Sequence, residues 1–236
     1  MVRSRLLVAL AFLLAAAVCA RLGVWQLGRL RERRAANAVA LSARSAPPVR
    51  LAGSVGDSGV VNRRVLARGT YDHAHDIVIR GQVYRGVPGV EIVSPLVLAD
   101  ELNTAVLVNR GFVPAPDAVT VDPSTFKESG EQRVEGIAFP LDTVSGLPLR
   151  RGSLTTWARL DRDAIEAHLP YRIFPFYIRQ TPDSALPRFP RRLDPPALDD
   201  GPHLNYAIQW FAFAVMAVVF GGIMARLKRG SHPSAR

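Results

Sequence analysis

Residues 203–211, HLNYAIQWF, place four side chains that can bond or stack at the start of a long apolar run. On a helix with about 100° per residue, Tyr206 lies about 60° from His203, and Trp210 lies about 20° from it. The same stripe continues with small residues, namely Ala207, Ala214, Ala217 and Gly221. It therefore offers an imidazole and two aromatic rings above a shallow trough.

Two interpretations of this stripe are open. A flat macrocycle such as haem fits the pattern, with His203 as an axial ligand and Tyr206 and Trp210 as ring contacts. Alternatively, the small residues let another helix approach closely, and the two aromatic rings anchor at the membrane interface. Gln209 lies about 120° off the stripe, so we expect it to bond across to another helix.

The stripe belongs to a segment with the length of a membrane span. Residues 204–225 carry no formal charge and end at a basic tail. At 1.5 Å per residue they reach about 33 Å, enough for a hydrocarbon core of about 30 Å. Membrane lipid is therefore an expected partner of the chain.

A second apolar segment near the start of the chain predicts another span, at residues 6–27. Its first 15 residues lie behind Arg3 and Arg5, and the apolar pattern resumes after Arg21, which can extend toward the interface. Trp25 suits an interfacial belt. However, residues 18–20, VCA, resemble a signal-peptidase site, so a cleaved leader and a retained anchor both stay open.

The net charge of +10 lies beside these two segments. Residues 35–202 carry nineteen basic and nineteen acidic side chains, so the excess is not on the central domain as in a nucleic-acid-binding protein. Anionic lipid at the membrane borders explains it instead. The basic tail predicts that both termini are cytoplasmic and the central domain extracytoplasmic, although the cluster at residues 29–34 favours the opposite orientation.

Between the spans, the sequence predicts a β-rich domain. Seven runs with strand patterns lie at residues 63–72, 75–84, 89–98, 104–114, 132–140, 154–161 and 170–181, with a hairpin loop at 99–103. One short helix is expected at 161–169, with Asp161 as its N-cap. Residues 35–50 read as a connector, and the proline-rich residues 181–202 as a tether descending to the membrane.

The predicted fold is therefore an α+β membrane protein with two transmembrane helices flanking a β-rich extracytoplasmic domain, either an antiparallel sheet or a partly closed barrel. Its expected parts are residues 1–34, 35–202 and 203–236.

Other chemistry is sparse. His73 and His75 would share one face of an extended strand and could bind copper or zinc, but a polar turn facing solvent explains the pair as well, and no third ligand is indicated. Cys19 is the only cysteine, so it excludes an intrachain disulfide. Common catalytic motifs are missing, and neither an enzyme nor a bound metal is expected.

Five stretches, in order along the chain, carry a resemblance to a known family. They are LGVWQLGRL (22–30), GTYDH (69–73), PGVEIVSPLVL (88–98), LVNRGFVP (107–114) and HLNYAIQWFAFA (203–214). The chain resembles the surfeit-locus family of cytochrome c oxidase assembly factors. Residues 115–200 match weakly, and the basic residues 29–34 depart from the family's usual pattern.

The resemblance implies a retained first helix and a role in maturing haem–copper oxidase. It implies binding or transfer of haem a to the catalytic subunit, with His203 as the haem-binding histidine and haem a synthase as a further partner in the cell membrane. Residues expected at helix packing or partner contacts are Trp25, Gln26, Arg29 and Gln209. Two alternatives remain: a protein–protein scaffold for oxidase subunits without direct haem ligation, and a secreted or lipid-anchored binding module, which requires cleavage after Ala20.

Overall fold

A computed structural model of the chain describes residues 2–51, 59–99, 104–143, 146, 148–152 and 154–227. It has two compact units, residues 1–39 with 198–236, and residues 40–197. Most of the loop predicted at 99–103, the basic tail after residue 227, and the side chains of Arg3 and Arg5 lie outside the described part.

The described residues form three α-helices, two 3₁₀ helices (His73–His75 and Pro123–Phe126) and nine strands. The helices are α1 (Val2–Ser45), α2 (Arg162–Glu166) and α3 (His203–Leu227). The strands are β1 (Val49–Arg50), β2 (Arg64–Tyr71), β3 (Ile77–Tyr84), β4 (Val87–Leu98), β5 (Thr104–Pro114), β6 (Glu131–Pro140), β7 (Leu149–Arg151), β8 (Leu154–Trp157) and β9 (Arg172–Gln180). The predicted strands are thus present, and α1 and α3 are each long and apolar enough to cross a membrane.

Helix α1 continues well past the predicted span. The interpretation of residues 35–50 as a connector is wrong up to Ser45, because this segment contains five alanines, which are strong helix formers, and no glycine. The helix stops just before Pro47 and Pro48, since a residue preceding proline disfavours helical geometry.

The central unit is built on a closed five-stranded barrel. Its strands follow the order β2-β6-β9-β5-β4, and β4 pairs back with β2 to close the ring. Alternate side chains of these strands fill the interior, among them Val65, Leu96, Val108, Val134 and Phe176. Strands β3, β8 and β7 extend the sheet from β4. The prediction of a barrel is confirmed, but the ring is closed rather than partly closed, and its β5–β9 pair is parallel rather than antiparallel.

A second apolar cluster covers the outside of the barrel. Val93 and Leu107 point outward from β4 and β5 and pack with Trp157 and with Ile165 of α2. The predicted cap of this helix is confirmed, because the Asp161 carboxylate accepts a hydrogen bond from the Ala164 N–H at 3.2 Å.

The proline-rich segment after β9 is attached to the barrel. Arg191 exchanges two backbone hydrogen bonds of 2.8 Å with Phe112 of β5, and Arg192 is buried. The contact is so close that a Cβ on Gly111 would lie 2.0 Å from the Arg191 carbonyl oxygen. The interpretation of residues 181–202 as a simple tether is therefore wrong at Arg191 and Arg192.

Candidate functional site

The two long helices lie antiparallel in their unit, and their contacts follow helical spacing. A Cβ on Gly23 would lie 2.8 Å from the Phe211 ring, and one on Gly221 would lie 2.8 Å from Phe12 Cβ. The less exposed positions of α3 recur every three or four residues, at 203, 207, 210 with 211, 214, 217 and 221. This is the face that α1 covers.

A polar contact joins the helices at the start of α3. His203 Nδ1 lies 2.9 Å from Gln26 Oε1. Because an amide oxygen only accepts hydrogen bonds, the Nδ1–H of His203 donates to it, and in the neutral imidazole this arrangement leaves the lone pair on Nε2. Gly201, with a φ of +67°, lies beside this ring edge, and a Cβ there would lie 3.7 Å from Nε2.

Helix α1 packs against the stripe of small residues that follows His203 on α3. Ala207 is 1% exposed, and Gly221 packs against Phe12, so a macrocycle has no space along this stripe. Of the two interpretations of the stripe, close helix packing describes its lower part. A ligand of His203 would therefore have to approach the ring from outside this stripe.

Among the described residues, neither Tyr206 nor Trp210 makes a ring contact with His203. Trp210 is half-buried and meets Phe213 edge to face at 5.9 Å between ring centroids. Tyr206 is 47% exposed, and Trp25 is 56% exposed. Among the residues predicted beside the histidine, Gln26 is the one that forms a hydrogen bond with it.

Arg29 and Gln209 do not join the polar contact between the helices, and their predicted contact with a partner stays a prediction. Arg29 pairs with Glu32 on its own helix at 2.6 Å, and the Gln209 side chain is exposed rather than bonded to α1. The polar interhelical contact uses Gln26 because this residue lies on the same face of α1 as Gly23.

A set of polar contacts that the sequence interpretation missed, called the polar clamp below, lies just before His203 in the chain. Arg34 pairs with the Asp200 carboxylate at 2.8 Å, while Asn37 and Arg33 donate to the Asp199 carbonyl at 2.7 and 3.2 Å. The basic cluster at residues 29–34 is therefore partly neutralised from within the chain. The sequence feature that could have indicated this clamp is the pair of adjacent aspartates before the second span.

A cluster of buried charges forms a second polar centre, within the central unit. Glu128 Oε1 accepts hydrogen bonds from Arg110 Nη2 at 2.6 Å and from Arg192 Nη2 at 2.5 Å. The Arg110 side chain is fully buried, and that of Arg192 is 3% exposed. Burial by itself raises the pKa of Glu128, but the hydrogen bonds and charges of Arg110 and Arg192 outweigh it and hold the pKa below its usual range.

Further polar groups extend this cluster toward a turn after β2. Arg110 Nη1 donates to Ser94 Oγ at 3.1 Å, and Ser94 Oγ donates to Asp76 at 2.5 Å. The Arg110 guanidinium also lies 5.1 Å from the Tyr71 ring centroid. Burial raises the pKa of the Tyr71 hydroxyl, which is buried without a hydrogen-bond partner among the described residues.

The two histidines of this turn serve the same structure. Residues His73–His75 form a 3₁₀ turn, so the extended arrangement for a copper or zinc pair is wrong. His73 is not solvent-facing either: its ring bonds Asp76 at 3.0 Å and accepts from the Glu128 N–H at 3.0 Å. Within the described residues, no group of three potential metal ligands occurs.

His75 and Tyr171 both bind the Asp72 carboxylate, at 2.7 and 2.8 Å. Burial opposes ionisation of Asp72, but the hydrogen bonds from Tyr171 and His75 outweigh it, and its pKa is lowered. These contacts connect the turn to the segment before β9, so they explain the turn without a ligand.

The comparisons with known proteins agree with the resemblance in the sequence. A model of the SURF1 family matches residues 13–215, which include both Gln26 and His203. A SURF1-like protein of Monosiga brevicollis is 25% identical over 228 residues, covering 91% of this chain and 86% of its own. One of Rickettsia felis is 26% identical over 214 residues, covering 87% of this chain and 91% of its own. This chain therefore belongs to the SURF1 family.

Proposed function

We propose that this protein assists the assembly of haem–copper cytochrome c oxidase by holding haem a at His203 before transfer to the catalytic subunit. Membership of the SURF1 family supports a role in oxidase assembly in general. The finer role rests on one observation, the hydrogen bond between His203 Nδ1 and Gln26 Oε1.

This hydrogen bond prepares the histidine as a ligand. It holds the neutral tautomer whose Nε2 carries the lone pair, as the partner of a metal-binding histidine commonly does. The bound haem would supply an iron that accepts this lone pair. Gly201 keeps a Cβ away from Nε2, and exposed Tyr206 can contribute ring contact on the outer side.

The test is the absorption spectrum of the full chain, purified in mild detergent from cells that make haem a. His203→Ala should abolish haem retention, since alanine offers no lone pair. Gln26→Ala should weaken retention about tenfold, at the lower end of the effect of losing a partner of a metal-binding histidine. Gln209→Ala is the matched control, because it removes the same amide from an exposed position of α3 and should leave the spectrum unchanged.

A scaffold for oxidase subunits without haem ligation is the second candidate. The observation in its favour is the filled trough, where Phe12 packs at Gly221 and makes the lower stripe a helix contact. A His203→Ala protein with its full haem complement and an unaltered spectrum would reject ligation by His203 and favour the scaffold.

The same proposal includes a location. We infer a cell-membrane protein with both termini cytoplasmic and residues 40–197 on the outer side, where the domain can meet the catalytic subunit and haem a synthase. Reporter fusions at residue 120 and after residue 236 should report opposite compartments. A mature N-terminus at Arg21 would contradict two retained spans.

A further inference from the structure

One cation of α1 lies on the side that faces away from α3. At 100° per residue, Arg21 is about 160° around the helix from Gly23, the residue that packs against Phe211. Its side chain is exposed, as are those of Leu14 and Trp25 on the same side. This outer face of α1 is defined here by Leu14, Arg21, Trp25 and Gly28.

The contacts between the helices give the depth of Arg21. Gly23 is level with Phe211, so Arg21, two residues earlier on an antiparallel helix, is level with about residue 213. That level lies nine residues, or about 13 Å, inside the start of the apolar run at residue 204. A hydrocarbon core of about 30 Å has its midplane about 15 Å from either border, so Arg21 lies close to it.

A charge at this depth needs a partner. Charged side chains within spans almost always face a bundle interior, a watery cavity or an opposite charge. Within the part of the chain that the structure describes, Arg21 makes no hydrogen bond or ion pair. Helical side chains also lean toward the N-terminus, which directs Arg21 away from the nearer membrane border and its lipid phosphates, contrary to the expectation that it extends toward the interface.

We propose that the outer face of α1 binds a membrane-spanning helix of another protein, which presents an aspartate or glutamate to Arg21 near the midplane. Gly28 has open space where a Cβ would project, so a neighbouring helix can approach closely beside Trp25. A second copy of this chain cannot provide the carboxylate, because residues 6–27 and 204–225 contain no aspartate or glutamate. This interface does not depend on haem binding at His203.

The experiment uses the full-length protein in its native membranes, with a photo-crosslinking residue in place of Ala17, one turn from Arg21 on the same side. The attached peptide is identified by mass spectrometry. We expect a membrane-spanning peptide of another protein that contains an aspartate or glutamate. A crosslinker in place of Val215, exposed on α3, is the control for random membrane neighbours.

Charge variants then test the role of Arg21. Crosslinking should fall about tenfold, the equivalent of one modest ion pair, in Arg21→Leu and Arg21→Glu. It should persist in Arg21→Lys and in Arg31→Leu, which removes an exposed cation beyond the apolar run. Arginine at the partner's acidic position should restore the crosslink to the Arg21→Glu protein. A crosslinker in place of Phe12 checks that α3 still packs on α1 in each variant.

Three results would overturn the proposal: attachment to lipid only, attachment to a second copy of this chain, or an unchanged partner crosslink in Arg21→Leu. Insertion itself is not weakened by Arg21→Leu, because leucine makes the segment more apolar. None of these readouts measures haem, so the interface and the haem-binding proposal can fail separately.

Discussion

Glu128→Gln tests the buried charge cluster with almost no change in shape. The glutamine keeps an acceptor for Arg110 and Arg192, but both buried guanidinium groups lose the charge that compensates them. At an effective dielectric constant of about 20, unit charges about 4 Å apart attract by about 4 kcal/mol. Removing one partner of a buried pair costs about 3–5 kcal/mol, so we expect the free energy of unfolding to fall by about that amount.

Trp157 provides the assay. It is the only tryptophan in residues 40–197, it is 4% exposed, and it meets the His168 ring edge to face. With Trp25 and Trp210 replaced by phenylalanine, urea unfolding of the detergent-solubilised protein can be followed by Trp157 fluorescence. Glu135→Gln is the control, because the Glu135–Arg64 pair is exposed at 3.6 Å, and exposed pairs contribute only about 0–1 kcal/mol.

The pH dependence gives an independent check. Because the folded-state pKa of Glu128 is lowered from its ordinary 4.5, its stabilising contribution is complete above about pH 4.5 and is lost as the pH falls through the folded-state value. Glu128→Gln should therefore reduce the acid sensitivity of unfolding. A midpoint shift no larger than that of Glu135→Gln, with unchanged acid sensitivity, would refute the assignment of Glu128 as the compensating charge.

Three further variants follow from the glycine contacts and the polar clamp. Gly111→Ala should destabilise the central unit by more than about 3 kcal/mol in the same unfolding assay, because a φ of +114° strains alanine and its Cβ would meet the Arg191 carbonyl oxygen; a loss below about 1 kcal/mol would contradict this close contact. Gly221→Leu should weaken the contact between α1 and α3, measured by crosslinking from a residue at position 12. Gly222→Leu is the control, because a Cβ at position 222 meets open space, and it should leave the contact unchanged. Equal effects of the two variants would reject the packing face. Asp200→Asn should leave Arg34 without its charge partner and lower the yield of properly oriented protein in the reporter assay, whereas unchanged orientation would show that the clamp plays no part in topology.

Local sequence patterns were sufficient to predict the strands but not the closure of the barrel. Alternation and β-branched residues predict β2 through β6 because each signal lies within about ten residues. Closure depends on pairs such as Gly69 with Leu98, whose register no local pattern contains. The extension of α1 was missed because an alanine-rich helix has little hydrophobic periodicity, although its helix propensity was readable.

The candidate site, too, could be predicted from local spacing only in part. Helical geometry predicted that His203 and Gly221 share one face, and this is the face that packs on α1. Sequence spacing could not identify Gln26 as the partner of His203, because the two residues are 177 positions apart. Arg110 lies in a predicted strand, but its burial depends on Glu128 and Arg192, which pair with it from distant segments that no local pattern connects to it.

The long separation between the clamp residues has a consequence for biosynthesis. Arg34 and Asp200 are 166 positions apart, and all of residues 40–197 are made between them. The first helix is therefore made long before the C-terminal partners of Gln26 and of the basic cluster. It lacks these partners until nearly the whole chain has left the ribosome. Pairing of the two helices is thus a late step that only a chain translated past His203 can complete, and a prematurely terminated chain would present unpaired polar groups to membrane quality control.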